Sequence, residues 1–220
     1  EKAAIAKPGA PIVIGELTGS VRAAAIEVAR AAGANVVDVD DADRAAVADL
    51  PLGLAGAHQR ENAATAWRIA SVLGIPEPAR REGLAGVKWP GRLERIAGGF
   101  VLDGAHNPDG AAALVASFTA APGALVFGVL LDKAWEEMLA ILSRIDCPRF
   151  FVAPKGRAAV DPKLLAERSG GTACATLDDA LDAARRAAGT RDVVVCGSLY
   201  LVGEARAKLL GLALDPPVSL

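Results

Sequence analysis

The sequence predicts an α/β protein with a mostly parallel sheet covered by helices, and three observations point to that class. Short apolar runs alternate regularly with helix-like segments from about residue 92 onward. Runs such as 124–130 and 193–196 are apolar throughout, which is typical of parallel strands buried on both faces. Hydrophobic residues make up 52% of the 220 residues and many are alanine, which favours helices packed against a sheet.

The first part of the chain predicts the end of one α/β domain. Residues 1–7 are typical of the tail of a helix that is stopped by the Pro-Gly pair at 8–9. Its remaining predicted elements are strands at 11–15 and 35–39, helices at 20–32, 59–73 and 79–84, and an irregular apolar stretch at 50–56. The first residue is not Met and the chain starts within a helix, so we expect a larger domain of which residues 1–78 are the end.

The alternating part of the chain predicts a complete second domain. Residues 93–96 and 100–102 are expected to pair as they enter the sheet. The expected order is then helix 109–119, strand 124–130, helix 134–144, strand 149–153, helices 161–168 and 177–187, strand 192–196 and helix 199–210. We therefore expect a linker at 79–90 and the second domain at 91–220.

Composition excludes several classes of partner. A net charge of −2 without a basic stripe argues against nucleic acid. No apolar run reaches the roughly 18–20 residues that span a bilayer, and we expect no cleavable leader. Cys147, Cys174 and Cys196 form neither a CxxC pair nor a disulfide framework, which favours the reducing cytoplasm. We expect all three to be small buried apolar residues.

Reactive side chains occupy the turn at residues 103–108 (Asp-Gly-Ala-His-Asn-Pro). An apolar strand precedes this turn and an alanine-rich helix follows it. This order is how open α/β sheets place ligand sites at the carboxyl ends of their strands, beside unpaired N–H groups of a helix start. Two interpretations remain open: Asp103 caps the helix and His106 fills the turn, or Asp103 binds a ribose while His106 lies near phosphate.

Two further places carry side chains suited to a nucleotide. Gln59 and Asn62 lie three residues apart at a helix start, so their amides face the same way and match an adenine edge, or else cap the helix. Arg92 follows a rigid Pro-Gly turn and either clamps a phosphate or pairs on the surface with Glu94 or another carboxylate.

Five blocks, in this order along the chain, resemble folylpolyglutamate synthase/dihydrofolate synthase of the Mur ligase superfamily. They are residues 1–9, 58–66, 89–94 (Trp-Pro-Gly-Arg-Leu-Glu), 103–108 and 197–203 (Gly-Ser-Leu-Tyr-Leu-Val-Gly). The last three together are specific to the folate branch. The resemblance implies a Rossmann-like C-terminal domain at 91–220, preceded at 1–78 by the tail of a P-loop ATPase-type α/β domain.

The resemblance also implies the reaction. A folate or dihydropteroate carboxylate would attack the γ-phosphate of ATP, and the amine of L-glutamate would then displace phosphate from the acyl phosphate, with Mg²⁺ and cationic side chains neutralising charge. The alternatives are another Mur-type ligase acting on a cell-wall precursor, which the block at 197–203 argues against, and a non-catalytic Rossmann-like nucleotide-binding module. A monomer is expected.

Site residues follow from the resemblance by position. Those implied to contact ATP are Gln59 and Asn62 at adenine, Asp103 at the ribose, and Arg92 and His106 at the phosphates. Arg92, His106 and Lys2 would take part in catalysis. Lys2 matches a lysine that is carbamylated in this superfamily, and a carbamate oxygen suits Mg²⁺. Glutamate is expected near Asn107 and Ser198.

The sequence departs from the family pattern in three respects. Ala4 stands where the family usually has Gly, and Ala134 where it usually has Asp. The sequence also has no Gly-rich phosphate loop ending in Gly-Lys-Ser/Thr. We therefore expect the chain to be the C-terminal portion of the enzyme, without ligase activity on its own.

Overall fold

The computed structural model describes residues 2–213. The chain divides into two compact units, Glu1–Lys88 and Trp89–Leu220. Residues 79–86, which we expected in a linker, lie within a helix of the first unit. No helix within residues 2–213 combines the length and the apolar character needed to cross a membrane.

The first unit is a two-stranded parallel sheet with four helices. Lys2–Ile5 forms a short 3₁₀ helix in place of the longer helical tail that we predicted. Strands β1 and β2 pair in parallel, with Pro11 opposite Asn35. The bounds are β1 Pro11–Ile14, α1 Gly19–Ala31, β2 Asn35–Asp38, α2 Asp41–Val47, α3 Gln59–Val72 and α4 Glu77–Gly86.

Helix α2 is an element that we did not predict, and a capping box explains its start. Asp40 Oδ1 accepts a hydrogen bond from Asp43 N, and Asp43 Oδ2 accepts one from Asp40 N, each at 3.0 Å. The hydrogen bond from Asp43 N lowers the pKa of Asp40 below its usual value. Arg68 of α3 forms ion pairs with both carboxylates. These contacts join α2 to α3 over a small core that includes Val47 and Trp67.

The second unit is built on a six-stranded, mostly parallel sheet, which confirms the predicted fold class. Its order is β3-β4-β8-β5-β6-β7. Strand β3 pairs with β4 antiparallel, and the other pairs are parallel. The bounds are β3 Glu94–Ile96, β4 Phe100–Leu102, β5 Ala124–Phe127, β6 Arg149–Phe151, β7 Thr172–Ala173 and β8 Val193–Cys196.

Helices cover both faces of this sheet. Their bounds are α5 Pro108–Ala116, α6 Trp135–Leu142, α7 Pro162–Ser169, α8 Leu177–Ala188 and α9 Leu199–Leu210. Alternate residues of β8 point to opposite sides: Val195 packs in the cluster with α8 and α9, whereas Val194 packs in the cluster with α5, α6 and α7. The central strands are therefore buried on both faces, as their unbroken apolar sequence predicts.

Three expectations for the second unit were wrong in detail. The strand predicted at 124–130 ends at Phe127, after which Leu130 forms only an isolated bridge with Ala159. The two-residue strand β7 was not predicted. Cys147 and Cys196 are buried as expected, but Cys174 is half-buried because it follows β7 at the edge of the sheet.

The hairpin of β3 and β4 is fastened at its tip by Arg185 of α8. The guanidinium donates to Gly98 O at 2.9 Å and Gly99 O at 3.0 Å, and it also donates to Gly189 O at 2.7 Å. The same group lies 5.9 Å from the centre of the Phe100 ring. These contacts hold β4 beside β8, which fixes the position of the turn that follows β4.

Thiol reactivity tests this packing. Burial raises the pKa of the Cys196 thiol and of the Cys147 thiol, so both are shielded and protonated in the folded protein. Burial also raises the pKa of Cys174, but this residue is the partly accessible one. Ellman's reagent at mildly alkaline pH is expected to react with Cys174 in the native protein, and with Cys147 and Cys196 only after unfolding. Cys174→Ser should abolish the native reaction; rapid native labelling of Cys196 would contradict the packing.

Candidate active site

The candidate site of the second unit lies where adjacent strands β4 and β8 end. Helix α5, which follows β4, packs on one face of the sheet, and α9, which follows β8, packs on the other. The two ends are tied together, since Asp103 N donates to Val195 O at 3.0 Å and Gly197 N donates to Ala105 O at 2.9 Å. Strands whose connections diverge in this way leave a crevice at their carboxyl ends, where α/β proteins bind ligands.

Asp103 links two turns in this crevice. Its side chain is 7% exposed. Oδ1 accepts from Ala105 N at 2.9 Å, within the turn that follows β4, and Oδ2 accepts from Leu93 N at 3.0 Å, in the turn that precedes β3. The interpretation of Asp103 as the cap of α5 is therefore wrong. The cap is Asn107, whose Oδ1 accepts from Gly110 N at 2.7 Å.

The turn that carries Arg92 has a demanding backbone. Gly91 has a φ of 70°, and a Cβ on it would lie 2.9 Å from Val202 Cγ1. Gly91 O accepts from Gly104 N at 2.6 Å, so the turn is also bonded to the segment after β4. Leu93 has a φ of 47° and is the one non-glycine residue with positive φ among residues 2–213.

Arg92 itself is exposed, and it makes no ion pair with any residue in the 2–213 range. The surface ion pair between Arg92 and Glu94, one of our two interpretations, is not formed. Glu94 instead pairs with Arg206 of α9, whose Nε donates to Oε1 at 2.9 Å and to Oε2 at 3.0 Å. The guanidinium of Arg92 thus remains available to an anion.

His106 is half-buried and its tautomer follows from its partner. Nδ1 lies 2.8 Å from Gly104 O. A carbonyl oxygen only accepts, so Nδ1 carries the proton and donates it. The other ring nitrogen, Nε2, is then an acceptor in the neutral ring and a donor in the imidazolium.

The two residues expected near glutamate differ in exposure. Asn107 is exposed, and with Oδ1 used in capping, its Nδ2 remains a donor. Ser198 is 2% exposed, and its Oγ accepts from Tyr200 N at 3.2 Å at the start of α9.

Asp132 and Lys133, after β5, lie at the same edge of the sheet and pair with each other at 3.1 Å. This pairing lowers the pKa of Asp132.

A cavity in the first unit contains the predicted adenine residues. Its volume is about 290 Å³, near the lower end of the roughly 300–1,000 Å³ of ligand pockets. Gln59 and Asn62 supply its amides, whereas most of the wall is apolar. The other lining residues are Leu52, Leu54, Ala63, Ala66, Gly83, Leu84 and Val87.

The amides in this cavity form an ordered chain. Gln59, 6% exposed, lies between two partners: its Nε2 is 2.9 Å from His58 Nε2, and its Oε1 accepts from Asn62 Nδ2 at 3.0 Å. Asn62 is exposed and retains Oδ1 and its second N–H. Asn62, which lines the cavity, therefore keeps one acceptor and one donor beside each other on its amide.

Lys2 is exposed in the 3₁₀ helix. Residues 2–213 contain no group of three or more His, Cys, Asp or Glu side chains that could hold a metal ion. A carbamate on Lys2 would add an oxygen ligand of the kind that Mg²⁺ prefers.

Sequence reasoning missed two features of the site. The pair of Glu94 and Arg206 gives no sequence signal, because the partners are 112 residues apart. The apolar wall of the cavity comes partly from α4, which we had placed in a linker. The sequence of α4 is mostly polar and gave no signal for this packing.

Comparison with known proteins identifies the family. Residues 91–199 match the glutamate ligase domain of Mur ligases. A probable bifunctional folylpolyglutamate synthase/dihydropteroate synthase of Haloferax volcanii is 35% identical to this chain, and the match covers 93% of this chain. The chain spans only 28% of that relative.

Two solved structures extend the likeness to the fold. Folylpolyglutamate synthase of Mycobacterium tuberculosis, complexed with ADP, superposes with a TM-score of 0.81 at 26% identity, covering 96% of this chain and 58% of its own. A bifunctional folylpolyglutamate synthase/dihydrofolate synthase of Yersinia pestis, complexed with AMPPNP and a Mn ion, gives 0.78 at 27% identity, covering 95% and 55%. The chain therefore belongs to the Mur ligase family. Within that family, the relatives named above are folylpolyglutamate synthases.

Stability measurements test the role of Asp103. Asp103→Ala would leave Leu93 N and Ala105 N without this acceptor, at a cost of about 1–3 kcal/mol for each buried donor. We expect the free energy of unfolding, measured in urea, to fall by about 2–5 kcal/mol.

Asp192→Ala is the matched control, because it removes an aspartate from an exposed ion pair with Arg95. Such pairs contribute at most about 1 kcal/mol. Equal losses of stability in the two variants would show that Asp103 does not fasten the turns.

Proposed function

We propose that the full-length protein ligates L-glutamate to a folate or dihydropteroate carboxylate at the expense of ATP, and that this chain supplies part of the site. The proposal rests on the state of Arg92. This arginine is exposed, it makes no ion pair within residues 2–213, and its turn is hydrogen-bonded to Asp103 at the carboxyl edge of the sheet. A preorganised cation of this kind suits the charge that develops during phosphoryl transfer. The ADP and AMPPNP complexes of the relatives support a nucleotide ligand.

Adenine is proposed to occupy the cavity of the first unit. Its apolar wall would cover the faces of the base, while Asn62 Oδ1 and N–H would meet the base edge. Gln59 orients Asn62 from a buried position. A ribose hydroxyl is proposed to donate to Asp103, whose carboxylate already accepts two backbone hydrogen bonds.

The chemistry would proceed in two steps. A carboxylate oxygen of the folate substrate attacks the γ-phosphorus, which forms the acyl phosphate and releases ADP. The glutamate amine then attacks the acyl carbon, and the tetrahedral intermediate expels inorganic phosphate. Arg92 would neutralise charge on the transferred phosphoryl group, and His106 Nε2 would lie beside the phosphates. The Nδ2 amide of Asn107 would hold the glutamate, with Ser198 behind it.

A divalent ion is proposed to take part, in line with the Mn ion in the Yersinia pestis structure. When bound, it would screen the charge of the phosphates. From this chain, Lys2 would contribute one oxygen after its neutral amine adds CO₂ and loses a proton. Its exposure leaves the amine open to that addition.

The organisation that fits this function follows the two units. We propose that the first unit, including α4, is the end of the ATPase-type domain and that the second unit is the glutamate ligase domain. We also propose that the protein is a cytoplasmic monomer.

Removal of the Asn62 amide tests the adenine assignment. Asn62→Ala in the full-length protein should raise the KM for ATP about tenfold, because a donor and an acceptor for the base are lost, and should narrow the preference for ATP over GTP. The measurement is glutamate-dependent ADP release at varied nucleotide. Ser71→Ala, at an exposed position near the end of the same helix, is the control. An unchanged ATP/GTP ratio would place the base elsewhere.

Removal of the Arg92 guanidinium tests the phosphate assignment. Arg92→Ala in the full-length protein should lower kcat/KM for ATP by about 100-fold or more. Unfolding in urea should be unchanged, because the side chain is exposed. Arg95→Ala removes an arginine that pairs with Asp192 on the surface and should keep wild-type kinetics. Wild-type turnover of Arg92→Ala would remove this residue from the site.

A further inference from the structure

We propose that Arg206 is a positioning residue for Arg92: by pairing with Glu94, it keeps the Arg92 turn in place and keeps the Arg92 guanidinium available to the nucleotide phosphates. The inference rests on the proposed function, since it assigns to Arg206 a control over that phosphate contact. Arg206 itself lies in the third turn of α9 and pairs through Nε with both oxygens of Glu94.

The Arg92 turn needs such support. Arg92 lies between two residues with positive φ, Gly91 at 70° and Leu93 at 47°. A left-handed conformation at a non-glycine residue is unfavourable and persists only where surrounding contacts impose it. The single hydrogen bond that closes the turn internally, from Arg92 N to Trp89 O, is long at 3.3 Å. Contacts from outside the turn must therefore fix it.

Two carboxylates supply those contacts, one on each side of Arg92. Glu94 Oε2 accepts from Gly91 N at 2.8 Å, and Asp103 Oδ2 accepts from Leu93 N at 3.0 Å. The flanking peptide N–H groups are thus both held, which fixes the direction in which the Arg92 side chain leaves the backbone. Asp103 is held by the turn after β4, whereas the position of Glu94 depends on Arg206.

Charge gives Arg206 a second effect. Glu94 is only two residues from Arg92 along the chain, and it is a carboxylate with which Arg92 could pair. Arg206 occupies both oxygens of this carboxylate, in a pair that is only 21% and 30% exposed for Glu94 and Arg206, respectively. An ion pair partly removed from solvent is stronger than an exposed one. Glu94 is therefore neutralised by Arg206, and Arg92 keeps its charge for a ligand.

Helix α9 also supports the turn sterically. Val202, one turn before Arg206, lies so close to Gly91 that a Cβ there would be 2.9 Å from Val202 Cγ1. Val202 and Arg206 are four residues apart and so lie on the same side of the helix. One face of α9 thus supports the turn by contact and by charge. A substitution of Arg206, which is not proposed to bind the nucleotide, would therefore alter the position of Arg92.

The test compares four variants of the full-length protein: Arg206→Ala, Arg206→Lys, the double variant Glu94→Gln with Arg206→Ala, and the control Lys208→Ala. Lys208 is the basic residue two positions further along α9, and it pairs with Asp178 on the surface. The measurements are the affinity for Mg·ATP by calorimetry, kcat/KM for ATP, the KM for glutamate and unfolding in urea.

We expect Arg206→Ala to weaken Mg·ATP binding about tenfold and to lower kcat/KM for ATP to a similar extent. The KM for glutamate should not change. Arg206→Lys keeps a cation near Glu94 and should stay within about threefold of wild type. In the double variant, the neutral Gln can still accept from Gly91 N but cannot form an ion pair with Arg92. The double variant should therefore bind Mg·ATP at least about threefold more tightly than Arg206→Ala. Lys208→Ala should match wild type.

If Arg206→Ala only lowered stability, the fraction of active protein would fall, but the affinity for Mg·ATP would not change. Glu94→Gln would then not reverse the loss. The inference is overturned if Arg206→Ala leaves Mg·ATP affinity unchanged, or if the double variant is no better than Arg206→Ala. The comparison with Arg92→Ala separates the positioning role of Arg206 from the proposed phosphate contact of Arg92. If Arg92→Ala weakens Mg·ATP binding and Arg206→Ala does not, only the positioning role fails. If neither does, the proposed phosphate contact of Arg92 fails with it.

Discussion

The buried carboxylate of Asp103 is the contact on which the candidate site of the second unit depends. Its two oxygens accept backbone hydrogen bonds from Leu93 and Ala105, which belong to turns on either side of the β3–β4 hairpin. Without this acceptor, two irregular segments would each have to satisfy a buried N–H group separately. With it, the turn that carries Arg92 and the turn that carries His106 become one structure. The chemistry proposed for either residue needs that fixed relation.

The sheet determines where this contact lies. Because β4 and β8 are adjacent and their following helices pack on opposite faces, their carboxyl ends leave space for a ligand. Helix α9 then serves the site twice. Its start places Ser198 beside the turn after β4, and its third turn places Arg206 on Glu94. The phosphate contact proposed for Arg92 would thus depend on residues of α9 that are not themselves proposed to bind the phosphate.

Local sequence predicted most of the fold, because buried parallel strands are continuous apolar runs and glycines mark the helix ends. It failed where long-range pairing decides the outcome. The run at 124–130 does not show that pairing stops at Phe127, and the two-residue strand β7 is too short to carry a pattern. Motifs also predicted Arg92, Asp103 and His106 as candidate site residues, and that prediction awaits a bound ligand. They did not reveal that Asp103 is a tie between turns or that Glu94 is neutralised by Arg206, since both contacts join distant segments.

In the proposed site, a nucleotide phosphate is the partner of Arg92, and Glu94 is not. The most direct measurement is a crystal structure of the full-length protein with Mg²⁺ and a non-hydrolysable ATP analogue. We expect the Arg92 guanidinium to donate to a phosphate oxygen, while Glu94 remains paired with Arg206 and Asp103 keeps its hydrogen bond from Leu93 N. The proposed phosphate contact fails if the nucleotide is bound and Arg92 is turned onto Glu94 or away from the phosphates.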